Sequence, residues 1–124
     1  LSPEFPCENG IIYDKNFTHI LCATDRAVGK YFKVRDSVTH INRGAFSGCI
    51  DLVRIDLNGI KCIDKSAFTN CMSLKYVFIP DSVTYIGEWA FAHCTSLKYI
   101  SIPHKTFVDK NAFNECNTEI VWRG

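Results

Sequence analysis

Seven cysteines and four histidines in 124 residues are the side chains with most chemistry to offer, and one pair is adjacent: His93 and Cys94. They stand in DSVTYIGEWAFAHCTSLKYISIP, residues 81–103, with an acid and several aromatics close by. A cysteine beside a histidine raises the prospect of a thiol nucleophile whose proton passes to an imidazole. That step needs the ring within hydrogen-bond reach of sulfur. Neighbouring side chains on an extended segment point to opposite sides, and no third group is spaced to orient the ring. Zinc would call for close pairs such as C-x-x-C or H-x-x-x-H, and neither spacing occurs.

The spacing of the cysteines explains more than their neighbours do. Ala-Phe-x-x-Cys occurs four times, ending at Cys49, Cys71, Cys94 and Cys116, in steps of 22, 23 and 22 residues. Leu52, Leu74 and Leu97 follow three positions after the first three cysteines, and Glu119 takes that place in the fourth unit. After each leucine the pattern is Leu-x-x-Ile-x-Ile or a close variant: Ile55 and Leu57, Val77 and Ile79, Ile100 and Ile102. Alternation of this kind fits a strand with one buried face. Pro80 and Pro103 end two of these strands where a missing N–H is tolerated. A second apolar pair returns the chain to the core: Val38 and Ile41, Ile60 and Ile63, Val83 and Ile86, then Phe107 and Val108. No unit has enough apolar surface to bury alone, so the units must stack.

Stacked equivalents lie roughly 5 Å apart with parallel Cβ vectors, farther than the about 3.8 Å between Cβ atoms that a disulfide prefers. Cys49, Cys71, Cys94 and Cys116 are therefore expected to form a reduced structural ladder, each thiol serving as a small hydrophobe. Cys62 lies outside the ladder, at the position of His40 and Tyr85 in sister units, and is the candidate reactive thiol. Cys7 and Cys22 flank a hairpin and are candidates for a disulfide in an oxidising compartment. Asn16-Phe17-Thr18 has the form of a glycosylation acceptor.

The elements that position these residues belong to one domain. With 47% hydrophobic and 22% charged residues the composition is globular, and a net charge of +1 argues against a nucleic-acid or anionic-membrane partner. No apolar run approaches the roughly 20 residues of a membrane span. Residues 1–5, Leu-Ser-Pro-Glu-Phe, have the look of an expression-linker scar. Residues 6–31 are expected to form an N-terminal cap, with strands over 9–13 and 19–22 around a polar turn, and residues 32–124 a solenoid of about four repeats.

The stretches LKYVFIPDSVTYIGEWAFAHC (74–94) and ENGIIYDKNFTHILCA (8–23) resemble the repeats and hairpin of the BspA-like, or treponemal-type, leucine-rich-repeat family. The resemblance implies an α/β leucine-rich-repeat fold, a right-handed solenoid with a parallel β-sheet on the concave face and short helical turns on the convex side. It also implies surface or secreted proteins that act in adhesion and host contact. It brings no catalytic residue and no cofactor.

On the strand-lined face, the residues between buried positions point outward. They are Tyr31 and Lys33, Arg54 and Asp56, Tyr76 and Phe78, Tyr99 and Ser101. Tyr76, Phe78 and Tyr99 should cluster, and aromatic and arginine side chains are enriched at binding hot spots. The same aromatics also serve as cross-strand stabilisers. The expected function is therefore a non-enzymatic protein-binding module contacting a protein partner, a host extracellular protein among the candidates, through this face. A structural spacer, an intracellular interaction scaffold and a thiol enzyme are the alternatives, and self-association through an exposed solenoid end or face is a further expectation.

Overall fold

The computed structural model describes residues 5–124, so most of the linker-like segment, residues 1–4, lies outside the described residues. The chain winds through about five turns. One sheet has the order β1 (Cys7–Glu8), β2 (Ile11–Tyr13), β3 (His19–Ala23), β5 (His40–Ile41), β7 (Cys62–Ile63), β9 (Tyr85–Ile86) and β11 (Phe107–Val108). β2 is antiparallel to both β1 and β3, and from β3 onward neighbours run parallel. The opposite face carries β4 (Tyr31–Lys33) beside β6 (Arg54–Asp56), and β8 (Tyr76–Phe78), β10 (Tyr99–Pro103) and β12 (Glu119–Arg123).

The expected hairpin is present as β2 and β3, but β3 is also the first parallel strand of the solenoid. This adds a coil to the four expected. The Ala-Phe-x-x-Cys motif does not mark it, because α1 (Asp25–Val28), capped by the Thr24 hydroxyl, stands where later coils have their turn. The Asp14 carboxylate shapes the hairpin loop by accepting from the Thr18 and His19 backbone N–H groups at 2.7 and 2.9 Å. Arg35 donates to both Glu8 carboxylate oxygens and lies over the Phe17 ring, tying β1 to the first coil.

Of the short helical turns expected on the convex side, α1 in the first coil is the one helix among the described residues. In the later coils this side is built of linked turns, each closed by an i to i+3 bond such as Ala67 N to Asp64 O. Alternate N–H groups point along the solenoid axis instead of into a helix. Phe46, Phe68 and Phe91 donate to the carbonyls of Ala67, Ala90 and Ala112 at 2.8, 2.7 and 2.9 Å. The geometry depends on left-handed residues at fixed places: Gly44, Ser66 and Trp89 in one column, Gly48, Asn70 and His93 in another. A left-handed residue reverses its peptide, so its N–H reaches the next coil and cannot extend a helix.

The core is a set of columns. Phe46, Phe68, Phe91 and Phe113 stack with ring centroids 5.1 to 5.6 Å apart, and Phe32 meets Phe46 edge-on at 5.6 Å. Beside them run the columns of Ile55, Val77 and Ile100 and of Val34, Leu57, Ile79 and Ile102, all buried. The last unit corrects the expected pattern. Phe107 does not enter the core; it is 58% exposed and stacks on Tyr85, while Thr106 takes the buried place of Val83 and donates its hydroxyl to the Val83 carbonyl at 2.8 Å. That bond satisfies the buried hydroxyl, so a threonine can occupy a valine site.

The strand-lined face is also not one continuous sheet. Val34 N donates to Asp56 O and Ile79 N to Ser101 O, both at 2.9 Å, but among the described residues no such bond links Leu57 to Phe78. The second unit is one residue shorter and has Asn58-Gly59 where a proline stands elsewhere. Asn58 adopts a left-handed conformation and sends its amide back to Val34 O and Asp36, and the ladder opens between β6 and β8.

Two outcomes test this account. Replacing Phe68 by Ala removes a ring stacked on both sides and should cost about 3–5 kcal/mol, read as a shifted urea midpoint. His40 stacks on His19 at 4.4 Å, and its pKa is lowered by burial first and then by the His19 charge. The neighbours facing it are Asp64, which opposes the shift, and Lys61, which adds to it. A lowered folded pKa means the unfolded chain binds the proton more readily. The stability is therefore present above pH 6.5 and lost as pH falls through the folded value. The melting temperature should drop on going from neutral to mildly acid pH, and His40→Phe, which keeps a ring in the stack, should flatten that drop.

Candidate functional site

The strand-lined face presents two outward rows. Tyr31, Arg54, Tyr76, Tyr99 and Glu119 form one; Lys33, Asp56, Phe78, Ser101 and Val121 form the other. Each residue alternates with an inward one, buried or, at Phe32 and Ile120, half-buried, so the strand period of two fixes its direction. All are exposed except Ser101, which is half-buried. Tyr76 and Tyr99 sit with ring centroids 5.0 Å apart and tilted by 46°. Phe78 is 60% exposed.

These groups border an open concavity of about 1160 Å³ centred on the seam between β6 and β8, with Arg54, Asp56 and Asn58 on one side and Tyr76, Phe78 and Tyr99 on the other. The broken ladder thus lies under the aromatic cluster. Sequence reading missed Arg123. Its guanidinium covers Phe78 at 4.0 Å and donates to Ser101 Oγ at 2.7 Å, Ile79 O at 2.5 Å and Asp81 at 2.9 Å. The signal available was the alternation in Glu-Ile-Val-Trp-Arg (119–123), which places Arg123 on the outward side two strands from Phe78.

The cysteines are placed as a ladder. Cys49, Cys71 and Cys94 are fully buried, and Cys116 is half-buried at the end of the column. Cys71 and Cys94 donate to the Phe46 and Phe68 carbonyls at 3.2 and 3.1 Å, and Cys116 to the Cys94 carbonyl at 3.3 Å. Burial pushes the thiols of Cys49 and Cys94 up to about 12 and that of Cys116 to about 11, and raises Cys71 further. Thiols held protonated in this way are poor nucleophiles. His93 is exposed while Cys94 is buried, so the adjacent pair points apart.

Cys62 is half-buried in the row of His19, His40, Tyr85 and Phe107 on the other sheet, and burial followed by the Asp64 charge raises its pKa. Cys7 and Cys22 both face Ile12, one on each side of β2. Two strand spacings separate them, roughly 9–10 Å, beyond the about 7 Å limit for Cα atoms in a disulfide. Among the described residues no group of three or more His, Cys, Asp or Glu side chains is arranged to hold a metal ion.

Thiol labelling of the native protein, read by intact mass, should therefore modify Cys7 and Cys22 readily. Cys49, Cys71 and Cys94 should stay unmodified until denaturant is added. Fast native labelling of any of these three would overturn the ladder.

Residues 27–121 match the family described as BspA type leucine-rich-repeat region, in six copies. In fold the chain is similar to a leucine-rich-repeat protein from Bacteroides capillosus, with a TM-score of 0.83 and 22% identity over 98% of this chain and 99% of that one. It is likewise similar to one from Eubacterium ventriosum, with a TM-score of 0.79 and 21% identity over 96% of this chain and 40% of that one. A leucine-rich cell surface protein from Faecalibacterium prausnitzii aligns with a TM-score of 0.72 and 25% identity, over 99% of this chain and 40% of that one. The chain thus spans 40% of the length of each of the latter two. No curated protein matches it. With its repeats, its stacked coils and a family match over most of its length, the chain belongs to the BspA-type leucine-rich-repeat family.

Proposed function

We propose that the chain is a non-enzymatic protein-interaction module that seats a protein partner on its strand-lined face. The observation that carries this reading is the aromatic cluster at the seam. Phe78 stands exposed between the tyrosine pair and the Arg123 guanidinium, over an open concavity. Large apolar rings exposed beside an arginine are what interface hot spots are made of. Tyrosines also bury area at low conformational cost while keeping a hydroxyl for hydrogen bonding.

The charges around the cluster are mixed, with Lys33 and Arg54 against Asp56 and Glu119. Such a rim suits a polypeptide with charges of both signs better than a polyanion. Among the described residues no helix is long and apolar enough to cross a membrane. The family relationship and the cell surface neighbour support placement in a surface or secreted adhesin-like protein that contacts host or matrix proteins.

The test is a triple variant, Tyr76→Ala, Phe78→Ala and Tyr99→Ala, measured against immobilised extracellular-matrix proteins by biolayer interferometry with circular dichroism as the folding control. The wild type should bind at least one matrix protein. The folded variant should lose a hundredfold or more in affinity, because truncating two or three hot-spot side chains costs about 2 kcal/mol each. A folded variant that binds as the wild type does would move the contact off this face, and a wild type that binds none of the matrix proteins would favour the spacer role.

A further inference from the structure

The strand-lined face has a cationic border at the residue that precedes each strand. Val53 N donates to Lys30 O at 2.8 Å, Lys75 N to Val53 O at 3.1 Å and Lys98 N to Lys75 O at 2.8 Å. These bonds hold Lys30, Val53, Lys75 and Lys98 in one register from coil to coil. They run straight past the seam, which opens only farther along β6 and β8. Lys30, Lys75 and Lys98 are exposed, and among the described residues none of them forms an ion pair. Neighbouring strands lie about 4.8 Å apart, so Lys75 and Lys98 set like charges side by side.

Next to this column stand Tyr31, Arg54, Tyr76 and Tyr99, so a row of cations borders a row rich in aromatic rings. The repeat of both rows fits one backbone geometry. Two coils span about 9.6 Å, and one turn of a polyproline II helix, three residues at about 3.1 Å each, spans about 9.3 Å. Lys30 and Lys75 are two coils apart. A strand laid across the coils would present a side every ~6.7 Å and an α-helix every ~5.4 Å, and neither fits two coils a whole number of times.

We propose that this border takes a proline-rich polypeptide segment in the polyproline II conformation, lying along the solenoid axis with an acidic residue at every third position. The acidic side meets Lys30 and Lys75, with Lys98 beside them, and supplies the counter-charge their column lacks. Proline rings lie against Tyr76 and Tyr99, whose tilted pair offers an aromatic platform. A segment already extended in solution loses little entropy on docking, and aromatic-lined grooves exploit this. Its backbone carbonyls make no internal hydrogen bonds and can accept from the tyrosine hydroxyls and the Arg54 guanidinium. The mixed charges elsewhere on the rim leave the remainder of the partner free to carry either sign. Such a segment presupposes the protein-interaction role proposed above and gives that partner a chemistry and a conformation.

Fluorescence anisotropy with labelled peptides at low salt tests this. A peptide of four Pro-Pro-Glu repeats should bind about tenfold or more tighter than one of four Pro-Pro-Lys repeats. It should also bind about tenfold tighter than four Gly-Ser-Glu repeats, which carry the same charge on a flexible chain. Lys75→Glu with Lys98→Glu should reverse the preference for the acidic peptide. Tyr76→Ala with Tyr99→Ala should weaken the Pro-Pro-Glu peptide about tenfold, with unchanged circular dichroism in both variants. Equal binding of the two acidic peptides, or of the two charge signs, overturns the proposal. If the wild type binds a matrix protein but no Pro-Pro-Glu peptide, the proposal fails and the protein-interaction role stands. If it binds neither, both fail.

Discussion

No coil of this protein can bury its own apolar side chains, and the rest of the structure follows from that. A coil contributes one phenylalanine, one small residue before it, one cysteine and a handful of aliphatic residues, all pointing inward. They leave water only when the next coil sets its equivalents directly above. The Phe46, Phe68, Phe91 and Phe113 stack, with planes within 17° of parallel, shows how closely the coils keep register. Register in turn demands that peptide groups bond along the axis on both sheets and through the turns. This is why the turn columns use left-handed residues and why few helical hydrogen bonds form. A cysteine suits the innermost turn position because its thiol is small and can donate weakly to the carbonyl of the preceding coil.

Deviations from the repeat produce the features that distinguish one part of the surface from another. One residue lost in the second unit opens the ladder between β6 and β8, and the concavity lies there. Loss of the motif in the first coil makes room for α1 and lets β3 carry the antiparallel hairpin that covers that end. In the last unit the strand follows Cys116 two positions sooner than its sister follows Cys94, so Glu119 pairs with Tyr99 and not with Leu97. In a stack held by nearest-neighbour contacts, such changes stay local, because each interface is set by two coils only.

How much of this was legible in the sequence follows from the same physics. Columns were, since Ala-Phe-x-x-Cys and Leu-x-x-Ile-x-Ile state the inward positions directly, and the outward strand residues follow by alternation. Turn conformation was not. Ser66, Trp89 and His93 are ordinary residues in a left-handed conformation, and only the axial hydrogen bonds they enable explain them. Phe107 misled because a large apolar residue stood next to Thr106, and the hydroxyl bond that lets threonine into the core is a tertiary contact. The seam had a visible cause, the missing residue at Asn58-Gly59, but its effect on the ladder depends on where Asn58 sends its amide. Arg123 was missed because its partners lie one and two coils away, beyond the reach of local pattern reading.

The columns leave little of the chain free to evolve a function. Inward positions are committed to packing, the turn backbone to axial hydrogen bonding, and the ladder thiols to burial that keeps them protonated. What remains variable is the outward side chain of each strand. On the sheet of His19, His40, Tyr85 and Phe107, neighbouring outward rings stack in pairs at 4.4 and 5.6 Å, with Phe107 still 58% exposed. On the opposite sheet the shortened second unit leaves Arg54 and Asp56 across a seam from the aromatic cluster, so Phe78 keeps most of its surface open. Of the two sheets this is the one whose ladder is interrupted, so the repeat packing is least complete there.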